Sequence, residues 1–161
     1  MTTLLALDIG GTKVGWGIVE AGDGFVVTER GSIPTEAMRG GADVASRICS
    51  LAASLVASHP SVSGVAVASA GVVDPSTGDI VSATGTMPGW GGTHLGALLQ
   101  EATGLRVRVL NDVHAHGLGE ATLGAGRPYR AVLSIAVGTG IGGALVEDRQ
   151  VSFGSRGIAG H

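Results

Sequence analysis

Two short segments carry residue types and spacings suited to phosphate chemistry. Over residues 4–19 an apolar run reaches Asp8, turns through Gly10, Gly11, Thr12 and Lys13, and resumes as a second apolar run. This order reads as a phosphate-binding β-hairpin. Adjacent glycines let the backbone turn sharply and bring its N–H groups close to an anion, while Asp8 ends the first strand facing the same space. Residues 131–146 repeat the pattern around Gly138, Thr139 and Gly140. Two matching turns suggest a nucleotide held between two half-sites. The chemistry then needs a base, and Asp112 follows an alternating apolar strand at 105–110. A carboxylate at a strand's C-terminal end, opposite two phosphate turns, can accept the proton of an attacking hydroxyl during phosphoryl transfer.

Each of these residues also has a plainer reading. Asp112 can cap the helix that follows it, and the two roles can coexist. Lys13, the only lysine among ten basic residues, reads equally as a solvated turn side chain, since backbone N–H groups hold phosphate without it. Asp74 reads as a turn residue in Asp74-Pro-Ser-Thr-Gly78. His114 and His116 lie two apart, so on a helix they face away from each other and neither reads as a metal ligand. Gly138-Thr-Gly-Ile-Gly-Gly143 satisfies the G-x-G-x-x-G pattern, but a strand follows where a dinucleotide fold requires a helix and, about 20 positions on, an acidic residue. No P-loop spacing surrounds Lys13.

The chain that positions these groups has 161 residues, 44% hydrophobic and 14% charged, enough for one domain and the start of a second. No apolar run approaches the ~20 residues of a membrane span, and no basic region precedes the first strand, so a cytoplasmic protein is expected. A formal charge of −3 gives no basic footprint for nucleic acid. The single Cys49 sits in a helical stretch and reads as a small apolar side chain.

Strands are expected at 3–9, 13–20 and 24–31 as an antiparallel meander, then a polar connection over 35–41. Val44, Ile48, Leu51, Leu55 and Val56 share one face of a helix that stops near His59-Pro60. Residues 62–70, free of charge, read as a strand buried on both faces. A hairpin over 71–81 follows, then a helix capped by Thr93 and stopped by Gly104. After the strand at 105–110 comes a helix over 113–123 closing in Gly124-Ala-Gly126. Strands at 131–137, 141–147 and 150–153 begin a further domain that residues 157–161 do not complete.

Taken together, these segments resemble the ROK family of sugar kinases and repressors, within the actin-like ATPase superfamily, over nearly the whole chain. Asp8-Ile-Gly-Gly-Thr-Lys13 resembles the family's first phosphate motif and Val137-Gly-Thr-Gly-Ile-Gly-Gly143 its second. Gly71-Val-Val-Asp74 is similar to the loop beside the sugar. Leu110-Asn-Asp-Val-His-Ala-His-Gly-Leu-Gly-Glu120 is similar to the catalytic segment, where the resemblance implies that Asn111 binds sugar hydroxyls and Asp112 is the base and also contacts sugar. His161 matches a sugar-contacting position. Two departures stand out. Thr86-Met-Pro-Gly-Trp90 replaces a loop that begins with Asn in the family's glucokinases, and Ala159-Gly-His161 replaces their Ala-Gly-Glu, a form similar to members acting on N-acylated amino sugars.

The resemblance implies an α/β, actin-like (ribonuclease H-like) domain over 1–112, a linking helix over 113–126, and the truncated start of a second such domain over 127–161. It implies ATP and Mg²⁺ as cofactors, a homodimer, and no metal ligand within the chain. The family's structural zinc site is expected beyond His161. The leading expectation is ATP-dependent phosphorylation of a hexose or N-acylhexosamine at its 6-hydroxyl, and the alternative is an inactive sugar-binding or regulatory fragment. A repressor would need a DNA-binding helix-turn-helix before the first strand, where only seven residues precede Asp8.

Overall fold

The computed structural model describes residues 1–137, 141–155 and 159–160. It forms two compact units, residues 1–110 and 111–161. The first unit opens with β1 (Thr2–Ile9), β2 (Lys13–Ala21) and β3 (Phe25–Pro34), the expected antiparallel meander. Next come α1 (Gly41–Ser58) and β4 (Val62–Ser69), which returns parallel to β1. A small hairpin of β5 (Val72–Val73) and β6 (Ile80–Ser82), α2 (Leu95–Thr103) and β7 (Arg106–Asn111) follow. The main sheet has the order β3-β2-β1-β4-β7, so β1 lies at its centre.

Strand alternation decides which side chains the sheet buries. On β1, Leu5, Leu7 and Ile9 are buried while Asp8 is exposed, as the two-residue period requires. Val14 and Ile18 of β2, Val65 and Val67 of β4, and Val107 and Val109 of β7 extend the same apolar layer. Val44, Ile48, Ala52 and Leu55 of α1 and Leu95 and Leu99 of α2 belong to this core. The expectation that residues 62–70 are buried on both faces is corrected here, because Ser63 and Ala66 are exposed. Lack of charge on this strand reflects small residues on an open face, not a second buried layer.

Local capping differs from the sequence reading in two places. Helix α2 begins after His94, whose side chain makes no cap bond, whereas the Thr93 carbonyl oxygen accepts from the N–H groups of Ile80 and Leu95. Gly104 closes α2 in the left-handed conformation, as expected. The connection over 35–41 contains a short 3-10 turn, Ala37–Arg39, that composition alone did not mark.

In the second unit, α3 (Asp112–Thr122) packs on β8 (Ala131–Val137) and β9 (Ile141–Glu147), with β10 (Gln150–Val151) at the edge. The helix and these strands form a packed pair of layers. Among the described residues no helix is long and apolar enough to cross a membrane.

The junction after α1 is held by one imidazole. His59 lies 2.8 Å through Nδ1 from the Leu55 carbonyl and 2.9 Å through Nε2 from Glu29 Oε2 on β3. Both oxygens accept, so both ring nitrogens donate only in the imidazolium. The Leu55 carbonyl first, and then Glu29, raise the His59 pKa above its usual value. Its contribution to stability is therefore complete below about 6.5, the unfolded value, and is lost as pH rises through the folded value. Urea midpoints of the protein are expected to fall over that window, and Glu29→Gln should flatten the dependence. A wild-type midpoint that does not fall across the window would remove this role.

Candidate functional site

The first glycine turn is shaped by its supports. Gly10 N–H donates to the Lys13 carbonyl at 3.0 Å, closing the turn between β1 and β2. Neither Gly10 nor Gly11 has positive φ, so the turn does not need glycine for its backbone conformation, contrary to the sharp-turn argument from sequence. What glycine leaves is room. A Cβ built on Gly11 would meet nothing within 4 Å, so the backbone there faces open space that an anion can approach. Asp8, Gly11, Thr12 and Lys13 are all exposed at this edge.

Behind the turn stands a residue that the sequence reading did not single out. Thr35, 1% exposed, donates through Oγ1 to the Gly10 carbonyl at 2.6 Å, and its N–H donates to the Thr12 carbonyl at 3.0 Å. Arg47 of α1 in turn donates to the carbonyls of Thr35 and Pro34 at 2.8 and 2.9 Å. A chain of hydrogen bonds thus runs from α1 to the first glycine turn. No local sequence signal marks Thr35, because its partners are 23 and 25 positions away.

The loop after β4 lies beside this turn. Asp8 is paired with Ala68 and Ile9 with Ser69, and Ala70 N–H donates to the Ile9 carbonyl at 3.0 Å. Gly71 comes next with φ 98°, where a Cβ would press on the Ser82 carbonyl at 2.8 Å, so glycine is required. Trp90, fully buried, donates from its indole N–H to the Ala70 carbonyl at 3.1 Å and fixes the Thr86–Trp90 loop against the same segment. The structure thereby brings Gly71 next to the Asp8–Lys13 turn. Asp74 is held as a turn residue: its Oδ1 accepts from the Ser76 hydroxyl and N–H, which lower its pKa.

A groove of about 680 Å³ crosses the open face of the main sheet, bordered by Asp8, Lys13, Gly15, Arg30, Ser32 and Ala68. A larger one of about 920 Å³, between α1 and α2, contains none of the candidate residues. It does contain Cys49, whose thiol pKa is raised chiefly by burial, which disfavours the reactive thiolate.

In the second unit, the start of α3 holds the candidate base. Asn111, not Asp112, is the N-cap: its Oδ1 accepts from the N–H groups of Val113 and His114 at 2.9 and 3.2 Å. The same side chain donates from Nδ2 to Asp112 Oδ1 at 2.9 Å, and Val113 N–H donates to that oxygen as well. Among the described residues, no hydrogen bond engages Asp112 Oδ2, and the side chain is only partly buried. One carboxylate oxygen is therefore fixed while the other is available to a proton.

Gly138, Thr139, Gly140 and His161 lie outside the described residues. Among the described residues no group of three or more side chains is placed to hold a metal ion.

Against known proteins, the sequence pattern of the ROK family matches residues 4–161. The chain belongs to the ROK family. It is 32% identical to a β-glucoside kinase of Klebsiella pneumoniae, covering 98% of this chain and 50% of that protein. It is 33% identical to a glucokinase of Halalkalibacterium halodurans, covering 97% of this chain and 47% of the relative. The chain thus spans about half the length of the curated relatives it matches. In three dimensions it superimposes on a ROK family glucokinase from Streptomyces griseus, solved with glucose and AMPPNP, with TM-score 0.82 and 28% identity over 98% of this chain and 48% of the other. This ROK chain accordingly has the mixed α/β, actin-like ATPase fold expected from the motifs.

If the Thr35 hydroxyl holds the turn, Thr35→Val should leave the Gly10 carbonyl unpaired and cost about 1–2 kcal/mol in urea unfolding. Thr35→Ser, which keeps the donor, should recover much of that loss. Equal stability of the Val variant and wild type would contradict the support.

Proposed function

We propose that this ROK chain carries the phosphate turn, the sugar-side loop and the base of an ATP-dependent kinase acting on the 6-hydroxyl of a hexose or N-acylhexosamine. The observation that carries this reading is the carboxylate of Asp112, pinned through Oδ1 by Asn111 and Val113 and open at Oδ2. A base must be held still and still have an oxygen to receive the proton.

In this reading the sugar's 6-oxygen attacks the terminal phosphorus of ATP, Asp112 Oδ2 takes the hydroxyl proton, and the bond from that phosphorus to the ADP oxygen breaks. Backbone N–H groups at Gly11 and Thr12 donate to phosphate oxygens, Gly10 closes the turn beside them through its own bond to the Lys13 carbonyl, Lys13 adds a positive charge, and Gly138, Thr139 and Gly140 act likewise from the second hairpin. Space over Gly11 supports the first of these roles. Asp8, an exposed carboxylate beside the turn, suits Mg²⁺, which is commonly held by one or two carboxylates together with substrate phosphates rather than by a full protein cage. When bound, Mg²⁺ neutralises charge on the phosphates. Positioning and electrostatics supply most of the rate enhancement.

Gly71, Asn111, Asp112 and His161 are assigned to the sugar. Asn111 spends its side chain on the helix cap and on Asp112, so its part includes orienting the base. The names of the relatives, β-glucoside kinase and glucokinase, and the glucose and AMPPNP in the Streptomyces structure support a sugar and an adenine nucleotide as substrates. The Ala159-Gly160-His161 ending of the motif favours an N-acylated amino sugar over glucose. The reading also carries a cytoplasmic homodimer, with structural zinc bound outside the residues described.

Asp112→Asn keeps the hydrogen-bonding shape and removes the proton acceptor. It is expected to lower kcat by about 10²-fold or more, with the sugar KM changed only a few-fold; near-normal turnover would eliminate Asp112 as the base. Gly11→Val should fill the space over the turn and weaken ATP binding far more than sugar binding, read by calorimetry with each ligand. Unchanged nucleotide affinity in that variant would contradict the phosphate role of the hairpin.

A further inference from the structure

His114 is among the most buried polar side chains in the chain, 2% exposed, and none of the roles above uses it. Its Nε2 lies 2.7 Å from the Ala159 carbonyl, 45 positions along the chain. A carbonyl only accepts, so Nε2 carries the hydrogen and the imidazole is held in a defined tautomer or as the imidazolium. The ring also meets Phe153 edge to face, with centroids 5.4 Å apart and planes at 76°. Phe153 and Ala159 are themselves joined, Ala159 N–H donating to the Phe153 carbonyl at 3.1 Å. One side chain therefore contacts both members of that bonded pair.

The residue beyond is fixed as well. Gly143 N–H on β9 donates to the Gly160 carbonyl at 2.8 Å, and a Cβ on Gly160 would collide with the Gly143 carbonyl, so this position requires glycine. At its other end, His114 belongs to the first turn of α3: its own N–H donates to the Asn111 cap, next to Asp112. The backbone of the base and the backbone of Ala159-Gly160 are thus joined through a single imidazole.

We propose that His114 is a positioning residue that holds the Ala159-Gly160 backbone to the start of α3, beside Asp112, and so tunes affinity for the sugar assigned above to the next residue in sequence, His161, without touching it. This rests on the kinase reading above. Displacing a substrate-holding segment by even 1 Å weakens binding and alignment substantially. Burial of the imidazole explains why a packed, hydrogen-bonding ring stands here rather than an aliphatic residue: an unpaired Ala159 carbonyl at this site is costly.

The test uses two variants of the protein, with glucose and N-acetylmannosamine as probes. His114→Phe keeps a ring against Phe153 and loses the donor; His114→Gln offers an amide N–H at about the reach of Nε2. In the Phe variant the sugar KM is expected to rise about tenfold, the ATP KM to stay within about twofold, and the Gln variant to recover most of the change. Amide hydrogen exchange at Ala159 and Gly143, followed without any sugar, should accelerate in the Phe variant and slow again in the Gln variant. An unchanged sugar KM in the Phe variant, with wild type active, overturns the proposal. So does a rise in both KM values that Gln fails to reverse, which is the mark of a disturbance not confined to the sugar side of the site. A wild type that binds neither sugar while the exchange pattern holds instead overturns the kinase reading, so the two failures are distinct.

Discussion

Alternation along β1 is the constraint on which the first unit depends. Leu5, Leu7 and Ile9 face the core and Asp8 faces outward, and the strand is paired on both sides, to β2 and β4. A slip of one residue would reverse every side chain, exposing three core residues, each worth about 1.5–3 kcal/mol of burial, and driving Asp8 inward. The position of the acidic residue at the glycine turn is therefore set by the hydrophobic energy of its neighbours. The parallel pairing with β4 also brings Gly71 alongside, because Ala70 is still bonded to Ile9.

The second unit uses a hydrogen-bonded constraint instead. Asn111 accepts from the N–H groups of Val113 and His114 at the start of α3 and steadies one oxygen of Asp112. Helix capping and orientation of the carboxylate are one arrangement of atoms. An Asp at the cap would satisfy the helix but present two acceptors and no donor toward its neighbour; the amide of Asn supplies both. This explains why the pair occurs in the order Asn111-Asp112.

The two glycines of the first turn show how a correct residue choice can have a different cause from the one first assigned. Their φ angles are negative, so turn geometry alone does not require them. The open space above Gly11 is what a side chain would remove. Around them, the Thr35 hydroxyl bonds to the Gly10 carbonyl and Arg47 in turn to the carbonyls of Thr35 and Pro34, so the turn is tied back to α1.

By itself the sequence determined the hairpins, the helices and the family, because these rest on short-range signals: alternation along 3–9 and 13–20, the apolar face from Val44 to Val56, and the glycine motifs at 10–13 and 138–143. It also determined that Asp112 stands at a strand-to-helix junction. Tertiary structure decided the rest. Ser63 and Ala66 stand on an open face because burial depends on what covers a sheet, which an uncharged strand does not reveal. His94 rather than Thr93 precedes α2, because the Thr93 backbone is committed to Ile80 of β6. Thr35 and His114 read as a loop threonine and a misplaced half of a histidine pair until the fold brought Gly10 and Ala159 to them. Hydrogen bonds between residues 25 and 45 positions apart leave no periodicity in the chain, so only the folded backbone can name the partners.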